Sequence, residues 1–184
     1  MVFESYGLII VAVLVIGFIV YYINRFAVLA NIIDNSWSQI DVQLKKRNDL
    51  VPNLVETVKG YAKHEQQAIK AVTEARVRMM QAGTVEEKAA AGNMMSDALK
   101  TIFAISENYP QLKANENFMM LQEELSGIEN KIAYARQHYN DSVLVYNNLA
   151  TTIPGSLFAG ALGRKVKPYL ETDAKEREPV KVKF

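Results

Sequence analysis

The sequence predicts an all-α protein, with an N-terminal transmembrane helix continuing into an elongated antiparallel helical bundle of three long helices plus a short C-terminal helical element. Three observations predict it. Stepping alternately three and four residues from Trp37 lands on Ile40, Leu44, Arg47, Val51, Leu54, Val58, Tyr61, Glu65, Ala68, Val72, Ala75 and Met79, and ten of these twelve are apolar or aromatic. That is the coiled-coil-like seam of a helix lying against other helices. Gly7–Ile23 are 17 residues without a charge or an amide, roughly 25 Å as a helix and close to the apolar thickness of a bilayer. The five prolines and nine glycines cluster instead of spreading through the periodic runs, which favours long helices.

Taken in order, residues 1–6 read as a short N-terminal tail and 7–23 as the span. Tyr6 stands at one end of the span, Tyr21 and Tyr22 at the other, where amphipathic rings favour the interface, and Arg25 follows. A cleaved signal peptide is the competing reading, with Val28-Leu29-Ala30 as its cleavage site. Against it, the tail lacks a basic residue and the apolar run is longer than a signal core. With Arg25 on one side and no basic residue on the other, the expected topology is a single-pass protein with its N-terminus outside and its domain in the cytoplasm.

No Gly or Pro falls between Asn24 and Val51, so the span is expected to run as helix into a bundle domain over residues 24–170. Pro52 removes a backbone donor and crowds the carbonyl of Asn48. The seam keeps its register beyond it, which predicts a kink or brief break with the helix continuing to Met79. Gly83 and Thr84 suit a helix stop and start, and Thr84-Val-Glu-Glu87 matches a capping box. A second helix is expected over about 85–108, burying Val85, Ala89, Met95, Ala98, Leu99, Ile102, Ile105 and Tyr109. The third, over about 114–148, carries a seam of Phe118, Leu121, Leu125, Ile128, Ile132, Ala135, Tyr139, Val143 and Tyr146. Thr151–Gly163 is apolar and small, and Arg164, Lys165 and Lys167 follow. Leu157, Phe158 and Leu162 are its candidates for contact with lipid, the bundle or another subunit. Residues 171–184 read as a mobile charged tail.

The composition offers little chemistry. A net charge of +1, from 21 basic and 20 acidic residues, gives no case for nucleic acid. The absence of cysteine excludes thiol catalysis, disulfides and Cys-ligated metals. A di-metal bundle site needs Glu-x-x-His pairs, but the residues three before His64 and His138 are Tyr61 and Ala135. Gly155 and Gly160 have P-loop spacing, yet Ala161 stands where the lysine is required. No catalytic, cofactor-binding or metal-ligating residue is assigned. Lys45-Lys46-Arg47 reads as a solvated helix face. Arg47 and Glu65 fall on the seam, either at its edge or paired across helices with groups such as Glu124 or Glu129.

The run Asp34-Asn-Ser-Trp-Ser-Gln-Ile-Asp-Val-Gln-Leu-Lys-Lys-Arg-Asn-Asp-Leu-Val-Pro-Asn-Leu-Val-Glu-Thr-Val-Lys-Gly-Tyr-Ala62 closely resembles the signature of the bacterial LemA family. So does Glu107-Asn-Tyr-Pro-Gln-Leu-Lys-Ala-Asn-Glu-Asn-Phe118, continuing through Leu121–Leu125 and Glu129–Ile132 to Tyr139-Asn140. The resemblance covers roughly residues 5–170. It implies a single-pass membrane protein with a domain of antiparallel helices in the cytoplasm and no established catalysis to carry over. It also implies genes often placed near those of membrane proteases. It marks Trp37, Gln39, Asp41, Arg47, Pro52, Asn53, Asn115, Glu116, Asn117, Glu124, Glu129 and Asn130 as candidates for assembly or motif roles. After Asn148 the chain departs from the family pattern, with Ile153-Pro154 and Leu162-Gly163-Arg164-Lys165 where Phe-Pro and a Phe-Gly-Phe-Lys-like segment are usual.

The expected function is a non-enzymatic, membrane-anchored scaffold of the bacterial inner or plasma membrane. Its expected partners are the lipid bilayer, copies of itself and other membrane proteins such as a protease, and no cofactor is expected. One alternative is a lipid-interacting or membrane-shaping protein that uses residues 151–170. A distant alternative is an enzyme built on Glu123, Glu124 and Glu129.

Overall fold

A computed structural model describes residues 2–170, with side chains from Tyr6 onward; the charged tail read at 171–184 lies outside them. Among the described residues there are six helices and no strand: α1 (Val2–Tyr61), α2 (Gln66–Gln81), α3 (Val85–Ser106), α4 (Pro110–Lys113), α5 (Glu116–Thr151) and α6 (Gly155–Ala161). The first helix begins at Val2, inside the residues read as a tail. The described chain divides into two compact units, one of residues 2–36 and Gln137–Tyr169, the other of Trp37–Arg136 and Leu170.

The second unit is an up-down-up-down four-helix arrangement. Tyr61 beside Asn115 and Arg47 beside Glu129 set α1 and α5 antiparallel. Asp41 beside Lys88 and Arg47 beside Gly92 set α3 parallel to α1. Only three residues separate α2 from α3, so α2 runs back antiparallel to both. Its core takes Val51, Leu54 and Val58 from α1, Ala68 and Val72 from α2, Met95, Leu99 and Ile102 from α3, Leu112 from α4, and Phe118 and Leu125 from α5.

Two sequence expectations are corrected. The helix is unbroken at Pro52 and does not run on to Met79 but breaks at 62–65. Pro52 faces solvent, so its ring does not disturb the core, while the core positions Val51 and Leu54 hold the helix on either side. The real break has a packing cause. Helix α5 starts beside Tyr61, so a straight extension would leave Ala68, Val72 and Ala75 uncovered. Folding back buries them against α3. The seam also shifts at its ends: Ser36 and Ala62 are buried, whereas Trp37 is half-buried and Tyr61 exposed. A straight 3.6-residue helix lags a strict 3.5-residue walk. In α3, Ala91 and Gly92 are buried, while Val85, Ala89 and Ile105 are only half-buried, as is Tyr109 beyond its end.

The expected capping box is present. Thr84 Oγ1 accepts from Glu87 N at 3.1 Å, and Glu87 Oε2 accepts from Thr84 N at 3.1 Å and from Gly83 N at 2.8 Å. The Gly83 and Thr84 N–H groups hold the Glu87 carboxyl below its ordinary value of 4.5.

In the first unit, Phe26 meets Tyr146 edge-on with ring centroids 5.7 Å apart, and Ser36 meets His138, so α1 and α5 are antiparallel here as well. Phe26, Leu29 and Ile33 are buried, with Tyr139, Val143 and Tyr146 from α5. Residues 6–21 of the helix are exposed: its most apolar 18-residue window has a mean hydropathy of 2.6 and no residue buried. By length and composition this helix can cross a membrane.

Candidate functional site

Arg47 is only 1 % exposed, placed by the helical period among Leu44, Val51 and Leu54. An ion there survives only if its hydrogen bonds are met inside the protein. Its Nη1 donates to Glu129 Oε2 at 2.5 Å and to Ser96 Oγ at 2.9 Å, and its Nη2 donates to the Gly92 carbonyl at 2.9 Å. Ser96 Oγ in turn donates to Glu129 Oε1. Gly92 makes room for this cluster: a Cβ there would stand 3.1 Å from Arg136 Nη2 and 3.2 Å from Leu44 Cδ2. Arg136 Nη1 donates to Asn93 Oδ1 at 2.7 Å. Three helices, α1, α3 and α5, are thus tied at one level by a charged, hydrogen-bonded knot.

On the surface of the same unit, α1 and α5 border a groove of about 480 Å³. Asn53, Glu56, Asn117 and Glu124 supply its polar walls, and Leu50 and Met120 apolar contact. Met120 is 69 % exposed. Among the described residues, none makes a hydrogen bond or ion pair with the side chains of Glu56, Asn117 or Glu124. A second groove, of about 670 Å³, lies where α1 meets α2 and carries Lys59, Lys63 and Lys70. Carboxylates and amides over an apolar floor form a surface suited to binding a polar or cationic partner.

The residues marked by the family resemblance separate into three groups. Asn53, Asn117 and Glu124 come together at the groove, beside Pro52. Arg47 and Glu129 form the buried knot. Asn115 and Asp41 fix local geometry: Asn115 Oδ1 accepts from Phe118 N at 3.0 Å at the start of α5, its Nδ2 donates to Tyr61 Oη at 3.1 Å, and Lys88 Nζ donates to Asp41 Oδ1 at 2.6 Å. Trp37 is half-buried, and Gln39, Glu116 and Asn130 are exposed and do not line the groove. Glu65 takes up Tyr109, whose Oη donates to Glu65 Oε1 at 2.9 Å; that bond raises the Tyr109 pKa. The carboxylates weighed for catalysis are dispersed. Glu124 lines the groove, Glu129 is engaged with Arg47, and Glu123 faces solvent. Among the described residues no group of three or more His, Asp or Glu is placed to hold a metal ion.

In the first unit, Tyr6, Tyr21, Arg25, Leu157 and Leu162 are exposed, and Tyr22 and Phe158 are half-buried. Phe158 stacks on Tyr22 at 4.6 Å between centroids, 6° from parallel, and meets Phe18 edge-on at 5.7 Å.

Two clusters were not legible in advance. Ser36 Oγ lies 2.8 Å from His138 Nδ1 and donates to the Ile32 carbonyl at 2.8 Å, while Ser142 Oγ donates to the His138 carbonyl. Ser36 is 1 % exposed and His138 lies at the surface; the pair ties α1 to α5. The other is Asn147, which clamps the backbone of Lys167: Lys167 N donates to Oδ1 at 2.8 Å, and Nδ2 donates to Lys167 O at 2.9 Å. Ser36 did fall on the helical stripe between Ile33 and Ile40. Asn147 carried no such signal, because its partner is a backbone 20 residues away.

These features define a class: a helical-bundle protein whose first helix carries a long, largely exposed apolar run and whose bundle encloses a buried arginine knot. A sequence model described as the LemA family matches residues 36–184, most of the chain, and the protein belongs to that family. Two relatives, magnetosome proteins MamQ 1 and MamQ 2 of Paramagnetospirillum magneticum, are each 21 % identical over 174 residues, covering 80 % of this chain and 64 % of theirs. The chain therefore spans under two thirds of the length of these relatives.

Proposed function

We propose that this protein is a non-enzymatic, single-pass scaffold of the bacterial inner or plasma membrane that assembles with copies of itself through its helical domain. The observation that carries the reading is the unbroken helix α1: one 60-residue element holds both an apolar run whose most apolar window has no buried residue and the core stripe of a bundle unit. Apolar surface of that extent is not left in water, and lipid is the solvent it fits. An N-terminus outside and a domain in the cytoplasm follow from Arg25. The groove between α1 and α5 supplies the assembly surface, since Glu56, Asn117 and Glu124 have no side-chain partner among the described residues. Other membrane proteins are further candidate occupants.

The experiment is light scattering on full-length protein extracted from its native membrane at low concentration. A defined oligomer is expected. A monomer, with no partner recovered by crosslinking in membranes, would sink the assembly reading. Release from membranes by alkaline carbonate would sink the span.

A further inference from the structure

We propose that α6 and the basic segment after it form an interfacial element that docks on an anionic lipid bilayer at one boundary of the span. The inference rests on the reading of Gly7–Ile23 as a membrane span and adds a second, separate lipid contact to it.

Three observations converge. The first is depth. Phe158 packs on Phe18 and Tyr22. At 1.5 Å per residue those rings lie within about 8 Å of the Ile23 end of the apolar run. An interfacial helix buries its apolar face to about 5–10 Å, so α6 is held at the level where such a helix lies, whichever way the span points.

The second is the outward face. Helix α6 turns Gly155, Phe158 and Ala159 inward, while Leu157 is 69 % and Ile153 83 % exposed, with Leu162 also exposed. Thr151–Gly163 contains no charged residue. Such a face is costly in water and favourable against acyl chains.

The third is charge, held in place. Gly163, at φ +63°, ends α6: Arg164 N donates to Ala159 O at 2.8 Å and Gly163 N to Gly160 O at 3.3 Å. This Schellman turn directs the chain into Arg164-Lys165-Val166-Lys167. Asn147 then clamps Lys167, one residue from the Tyr146 ring that meets Phe26. Arg25 precedes Phe26. Four cations therefore gather just past the end of the apolar run, where each is attracted by anionic headgroups. A second protein copy would cover Leu157 equally well but would not call for cations at this level.

The chain lacks cysteine, so single-cysteine variants of the full-length protein carry one label each. Val15→Cys, Leu157→Cys and Met80→Cys, labelled with an environment-sensitive fluorophore, are reconstituted in phosphatidylcholine vesicles with or without phosphatidylglycerol. Lipids carrying a spin quencher near the headgroup or deep in the acyl chain report depth. The expected result is loss of most Leu157 emission to the shallow quencher, loss of Val15 emission to the deep one, and no quenching at Met80. Phosphatidylglycerol should increase the Leu157 quenching, and R164E with K165E should abolish that increase. Val15 quenched but Leu157 unquenched would overturn the α6 contact and leave the span standing. A Leu157 label that is blue-shifted yet unquenched would assign the face to protein. Neither label quenched would overturn span and contact together. Quenching indifferent to phosphatidylglycerol would overturn the anionic docking.

Discussion

Arg47 brings a full charge to a position that the helical period reserves for an apolar side chain, and the local design follows from that. Removing Glu129 strands the guanidinium. Breaking a buried pair on one side costs about 3–5 kcal/mol, and because Glu129 is 37 % exposed the loss for Glu129→Ala is expected near the low end, about 3 kcal/mol. Replacing the pair together, as Arg47→Met with Glu129→Leu, should restore most of that stability. Urea unfolding in detergent, followed by far-UV circular dichroism, measures both. A loss below about 1 kcal/mol, the scale of a surface pair, would show that the knot does not hold the unit. Gly163 makes a second residue-scale case: its left-handed backbone penalises a Cβ by about 1–2 kcal/mol. Gly163→Ala is expected to raise amide exchange across α6 while leaving α3 unchanged.

At the scale of elements, α1 is tested through Pro52. The ring lies on an exposed helix face and removes one backbone bond, so Pro52→Ala should stabilise the bundle unit by on the order of 1–3 kcal/mol. A loss of stability would mean that the proline shapes a break the core needs. At the start of α3, Thr84→Ala should cost about 1 kcal/mol. Glu87 adds a pH dependence. Its folded pKa is lowered by the N–H groups of Gly83 and Thr84, so the stabilisation is complete above the ordinary carboxylate range and is lost as pH falls through the lowered value. Comparing melting temperatures of the parent and Glu87→Gln from neutral to acid pH checks this: the parent should lose more on acidification. The capping box was legible because it is local. The turn at 62–65 was not, because the seam runs across it in register and only the start of α5 decides where α1 must stop being covered.

For the whole molecule, the reading as a self-assembling membrane protein makes the acidic groove its testable surface. Charge reversal by Glu56→Lys with Glu124→Lys leaves the buried core untouched, since both residues are exposed. The expected outcome is an unchanged circular dichroism spectrum with a smaller assembly by light scattering. An unchanged assembly would exclude the groove as the contact. Both α1 and α5 contribute to the two units, so assembly through the groove would act on the same helix that carries the apolar run.

By itself the sequence determined what depends on period, local hydrogen bonding and segment length. The all-α class, the seam of α5 from Phe118 to Tyr146, the cap at Thr84 and the exposed apolar run of α1 are each written within a few turns of chain. Tertiary structure decided what depends on residues far apart. It placed Gly92 and Ser96 around Arg47, brought Asn53 to Glu124 while turning Glu129 to another face, and folded α2 back on α3. It also set Phe158 against Phe18 and Tyr22. The reason is that burial of a seam fixes that a helix must be covered but not by which helix. That choice rests on the packing of α1, α3 and α5 and on the length each has available.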